Sequence, residues 1–124
     1  MINSHSEFLN QCYQQLLVFL EQLQPNTKLL QKSLALAACY GARLTLFHVL
    51  NKSALNPAEE RQLLNIKKHL MIPQEDVIIK QGATLTAIQE VTKEIRSDLI
   101  IINHECQYAA KLIASKMCDV IVIQ

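Results

Sequence analysis

The sequence predicts a doubly wound α/β domain built on a parallel sheet of five strands, and three observations lead there. From Asn26 onward helical and strand patterns alternate along the chain, an order that right-handed crossovers turn into a parallel sheet covered on both faces. The run Leu99-Ile100-Ile101-Ile102 is apolar throughout, which suits a strand buried on both sides. With 124 residues, 50% hydrophobic and 19% charged, residues 1–124 read as one domain with a sizeable core.

The elements follow in order. Leu16-Leu17-Val18-Phe19-Leu20 is a continuous apolar run of strand length. Leu9, Tyr13, Leu16, Leu20 and Leu23 are also spaced as on a helix, and periodicity alone does not separate the two. A doubly wound sheet needs a central first strand, and this run is the only candidate. A strand is therefore expected there, with residues 1–14 as a mobile or helical extension; an interaction helix over Leu9–Leu23 is the alternative.

Pro25-Asn26-Thr27 reads as a helix start with Asn26 or Thr27 as cap, and Gly41 as its close. Ala42–Leu50 is the second strand. Asn56-Pro57-Ala58-Glu59 opens the second helix: Asn56 caps, Pro57 fits the first helical position and Glu59 the first turn. Leu63, Ile66 and Leu70 mark its buried stripe, and Pro73 ends the region. Asp76–Lys80 is the third strand. Gly82 and Thr84 open a third helix with Ile88, Val91 and Ile95 on one face. The Asp98 strand follows, then a helix over about residues 107–117, and Val120–Ile123 is the last strand.

Composition excludes several functions. The formal net charge is +1 with no basic block, which argues against nucleic acid and against electrostatic membrane docking. The N-terminus is polar without a basic n-region, and no apolar run approaches a membrane span of roughly 20 residues. A cytoplasmic protein is expected. Cys12, Cys39, Cys106 and Cys118 show no CxxC and are read as reduced, buried thiols.

With these elements placed, the chain resembles the universal stress protein family over nearly its whole length. Leu16-Leu17-Val18-Phe19-Leu20-Glu21 is similar to the family's first strand, which normally ends in aspartate. Lys32–Ala37 and Ala42–Val49 resemble the first helix and second strand, including the frequent His-Val ending at His48-Val49. Asp98–Ile102 resembles the Asp-Leu-Ile-Val pattern of the fourth strand, and Cys118–Ile123 the last strand. The resemblance implies a Rossmann-like sheet of order 3-2-1-4-5 and a homodimer joined through the last strands.

The departures from the family matter as much. Nucleotide-binding members follow the fourth strand with a glycine-rich stretch; here Asn103 and Cys106 stand at its first two glycine positions. The spacer that follows is missing, and Glu21 replaces the usual aspartate. Without glycines, backbone N–H groups do not readily converge on an anion. Each charge-assisted bond to phosphate contributes roughly 1.5–3 kcal/mol. Losing two or three costs about 3–6 kcal/mol, on the order of 10² to 10⁴ in affinity. The resemblance is to the branch of the family that lacks the loop and does not bind ATP.

His104-Glu105-Cys106 could form a metal site or an activated thiol, but sequence neighbours in a loop do not converge on one atom, so polar capping of the next helix is expected. His48, between Leu46 and Leu50 on its strand, reads as a satisfied, partly buried histidine. Val120, Ile121, Val122 and Ile123 form an apolar edge with no following segment to cover it, which favours pairing with a second copy. The function expected is a non-catalytic, dimeric stress-response module with no cofactor and no metal. The alternative is an adenine-nucleotide switch using Leu20, Glu21, Val49 and Asn103.

Overall fold

Runs that are apolar on both faces need cover on both faces, and the chain supplies it. The computed structural model describes residues 13–23 and 27–124. Strand β1 (Gln15–Phe19) is followed by α1 (Thr27–Tyr40), β2 (Arg43–Leu50), α2 (Pro57–Leu70), β3 (Val77–Gln81), α3 (Thr84–Glu94), β4 (Leu99–Asn103), α4 (Ala109–Ser115) and β5 (Asp119–Ile123). All neighbouring strands pair in parallel, in the order β3-β2-β1-β4-β5. This is the doubly wound order that the family resemblance implies.

The ambiguous first run is a strand. Leu16, Leu17 and Val18 have no solvent exposure, because β1 is the centre of the sheet and has a helix layer on each side. Leu16, Val18 and Leu20 pack with Leu30, Ala37, Leu63 and Ile66 of α1 and α2. Leu17 and Phe19 pack with Ile88, Val91 and Leu112 of α3 and α4. A helix over 15–19 would turn part of that apolar set to water. The stretch 1–12, including Cys12, lies outside the described residues, as does Asn26, one of the two expected caps of α1.

Asp98 has a role beyond that of a charge at a strand head. Its Oδ2 accepts the Gln14 N–H at 2.8 Å and its Oδ1 the Gln15 N–H at 3.1 Å. It thus ties the foot of β1 to that of β4. At the same end the Tyr13 hydroxyl donates to Asp119 Oδ2 at 2.6 Å.

Helix boundaries follow local chemistry. Gly41, at φ 62°, closes α1 in the left-handed region that glycine enters without strain. The start of α2 is a full capping box: Asn56 Oδ1 accepts from the Glu59 N–H at 2.8 Å, and Glu59 Oε1 from the Asn56 N–H at 3.0 Å. The close of α2 falls at Met71, at φ 54°, before Pro73. Asp76, expected in β3, instead ends a 3₁₀ turn, where its carboxylate accepts from Arg43 Nε at 2.7 Å. Helix α4 is seven residues, shorter than expected.

Among the described thiols, Cys39 departs from the expected burial. Cys106 is buried and Cys118 half-buried, but Cys39 is exposed. Leu29, Leu30, Ser33 and Ala37 take the inward stripe of α1, which leaves Cys39 on the outward face. Among the described residues no helix is long and apolar enough to cross a membrane.

Candidate functional site

The order of the sheet reverses at β1, whose chain neighbour β2 lies on one side and β4 on the other. In such sheets the crevice at the carboxyl ends, beside the switch point, is where ligands bind. Two adjoining pockets open there. The larger, of about 690 Å³, runs over the ends of β1 and β2 toward the starts of α2 and α3. The smaller, of about 270 Å³, lies between the end of β1 and the loop after β4. Of the residues singled out from sequence, Val49 lines the larger pocket, Leu20 and Asn103 the smaller, and Glu21 both.

The end of β1 is held by β2. The Leu20 N–H donates to the Phe47 carbonyl at 2.8 Å. The buried His48 ring returns the tie, with Nδ1 2.7 Å from the Leu20 carbonyl. A carbonyl only accepts, so Nδ1 carries the proton. His48 is thus the satisfied histidine read from its strand position, and it sets where Glu21 leaves the sheet. One Glu21 oxygen, Oε2, is buried without a hydrogen-bond partner among the described residues.

The loop after β4 spends its own amides. The His104 N–H donates to the Ile123 carbonyl at 2.9 Å, the Cys106 N–H to the Asn103 carbonyl at 2.9 Å and the Ala109 N–H to the Cys106 carbonyl at 3.2 Å. The Glu105 N–H donates to Asn103 Oδ1 at 2.9 Å. An anion cradle needs such groups free and convergent. The expected capping of α4 by these polar residues does not occur: Tyr108 stands at its N-cap with no side-chain bond. Asn103 is consumed by the turn before the helix begins.

His104, Glu105 and Cys106 do not act on one atom. His104 and Glu105 are exposed, with Nε2 and Oε1 3.7 Å apart, whereas Cys106 points into the core beneath the sheet's end. Burial pushes the Cys106 thiol above its ordinary range; the Tyr108 N–H opposes this and the Glu21 carboxylate adds to it. A raised thiol is a poor nucleophile at neutral pH. No group of three or more His, Cys, Asp or Glu side chains is gathered for a metal among the described residues.

Sequence reading missed much of the larger pocket. Asn51, Lys52, Gln62, Thr84 and Tyr108 line it from four separate segments. The two helix starts at Asn56-Pro57 and Thr84 were the available signal, since both must lie at the carboxyl end of the sheet. Among the described residues of that lining Lys52 is the only Lys or Arg, and its ammonium is paired with the Glu59 carboxylate. The Asn56 N–H, then Lys52, hold Glu59 below its ordinary value of 4.5.

No protein-family model matches the sequence, and no curated protein matches it. Solved structures do. A universal stress protein from Archaeoglobus fulgidus in complex with dAMP superposes with a TM-score of 0.68 at 14% identity, over 92% of this chain and 100% of that one. The fold is that of the universal stress proteins. A universal stress protein in complex with cAMP matches with a TM-score of 0.61 at 17% identity, over 92% of this chain and 98% of that one. A universal stress protein family member from Arabidopsis thaliana with AMP bound gives 0.60 at 14% identity, over 89% and 90% of the two chains.

Proposed function

We propose that this chain is a universal stress protein-type regulatory module, dimeric and without catalysis, whose cleft does not hold the phosphates of ATP. The observation that carries the reading is the loop after β4, whose amides at residues 104, 105, 106 and 109 are all committed within the chain. The pairing of Lys52 with Glu59 supports it, because among the described residues no uncommitted lysine or arginine is left in the lining to meet a phosphate. A stress-response role in the cytoplasm belongs to the same proposal. Titration with ATP and AMP tests it: no heat and no spectral shift up to about millimolar nucleotide is expected, and micromolar binding refutes it.

The dimer would form through β5, which ends the sheet. Val120, Ile121 and Val122 are half-buried, whereas Ile123 is already buried in the chain's own core. The first three therefore carry the proposed contact, antiparallel about a twofold axis. Sedimentation equilibrium of the wild type against Ile121→Lys is the check: a dimer is expected for the first and a monomer for the second, and a monomeric wild type refutes the contact.

A second reading is an adenine-nucleotide switch that uses Leu20, Glu21, Val49 and Asn103. The nucleotide-bound neighbours favour it. Nucleotide carried through purification, seen as excess absorbance near 260 nm in a chain without tryptophan, would decide for it.

A further inference from the structure

Of the large apolar side chains that stand exposed among the described residues, two belong to α2 and its close: Leu64 at 61% and Met71 at 88%. Met71 occupies the left-handed position that ends the helix. Glycine or asparagine suits that position on backbone grounds, and burial gives methionine no reason to be there. Its flexible, polarisable side chain is suited to a docking surface. Beside it a groove of about 680 Å³ runs between α1 and α2. Its floor is apolar, with Leu30 and Ile66 buried and Leu70 half-buried. It shares no described lining residue with the two pockets at the carboxyl end of the sheet.

The charge at this groove is of one sign. Lys68 and His69 line it, and among the described residues no Asp or Glu does. Arg61 and Leu64 precede Lys68 by seven and four residues, which sets the three on one side of the helix. Arg61 and Lys68 are exposed, and neither has an ion pair among the described residues. Glu60, the exposed acid of α2, stands about two turns from Lys68. Basic residues at a helix C-terminus also answer the helix dipole, but the dipole asks for no exposed leucine or methionine beside them.

We propose that this groove docks an acidic amphipathic helix of a partner protein, with the partner's apolar stripe on Leu30, Ile66, Leu70 and Met71 and its carboxylates toward Lys68 and Arg61. Two neighbouring helices with an apolar floor between them are the seat that helix-in-groove recognition uses. The unpaired positive charge selects an acidic segment over a second copy, whose own α2 brings the same excess of positive charge to the contact. The inference goes beyond the proposed function and is independent of what the cleft binds: it gives the chemistry of a partner through which a non-catalytic module would act.

The test uses the full chain and a capped peptide of about 15 residues, with leucine at helical spacing and glutamate at every other position. Its counterpart carries lysine for each glutamate. In a heteronuclear NMR titration the acidic peptide is expected to shift the amide resonances of Leu30, Lys68 and Met71. It should bind about tenfold or more tightly than the basic one, and raising salt from roughly 0.05 to 0.5 M should weaken it. Lys68→Glu should lower its affinity about tenfold. Met71→Asn, which keeps the left-handed turn, should lower it several-fold. Both side chains are exposed, so the melt of each variant should stay near that of the wild type. No binding of the acidic peptide up to about 1 mM, equal affinity for the two peptides, or indifference to both substitutions overturns the proposal. Self-association of the chain that Met71→Asn abolishes would assign the groove to a second copy and overturn it as well.

Discussion

His48→Phe should lower stability measurably while leaving the shape of the core largely intact. The wild-type imidazole is 7% exposed and ties its Nδ1 to the Leu20 carbonyl at 2.7 Å. Phenylalanine fills comparable space but donates nothing, so it leaves a buried acceptor unsatisfied at a cost of roughly 1–3 kcal/mol. For 124 residues the unfolding entropy near the midpoint is about 0.26 kcal/mol per kelvin. The expected fall in Tm is therefore about 4–12 °C. His48→Leu, which changes the side-chain shape in a different way, should lose a similar amount, because both variants lack the donor. Differential scanning calorimetry at pH 7 measures it. A Tm within about 1 °C of wild type in either variant would show that the bond does not hold the end of β1.

Other perturbations follow from the same geometry. Asn56→Ala removes the acceptor of the capping box and should cost about 1 kcal/mol, or about 4 °C in Tm. The Glu59 half of that box, accepting from the residue 56 backbone N–H, is stabilising above the ordinary carboxylate value of 4.5 and is lost as pH falls through its lowered native value; melts of Glu59→Gln repeated toward low pH should show its difference from wild type shrinking. Asp98→Ala strips two acceptors from the foot of β1 and should lower Tm by about 6 °C or more, with Asp98→Asn in between. Alkylation of the native protein near neutral pH, read by peptide mass, should modify the exposed Cys39 ahead of Cys106 and Cys118. Burial, then Asp119 and Asp98, push the Cys118 thiol up to about 11 from 9.0. An unfolded chain ionises that thiol first, so stability should fall as pH rises from 9.0 toward 11.

What could be read from the chain depended on how local each signal was. The strands announced themselves because burial on both faces leaves no polar alternation, and only the demand for a central strand separated Leu16–Leu20 from a helix. Asn56-Pro57-Ala58-Glu59 carried its own capping chemistry within four residues. Asp98 could be placed but not interpreted, since its partners lie 83 and 84 residues away. The absence of glycine after β4 was visible, whereas the bonds that consume the amides of that loop were not. Cys39 was misplaced because α1 is apolar around most of its girth, and composition alone does not say which side faces water. Tyr108 went unnoticed because its place in the cleft depends on how short α4 is.

That brevity has a further consequence. Seven residues of α4 give β5 a narrow roof, and three of its five residues remain half-covered on the outer margin of the sheet. Amide protons there should exchange with solvent through partial opening, well before those of β1, which are released only by global unfolding. Any contact that lies along this margin must therefore settle the strand as well as grip it, so ordering and association would rise together with protein concentration.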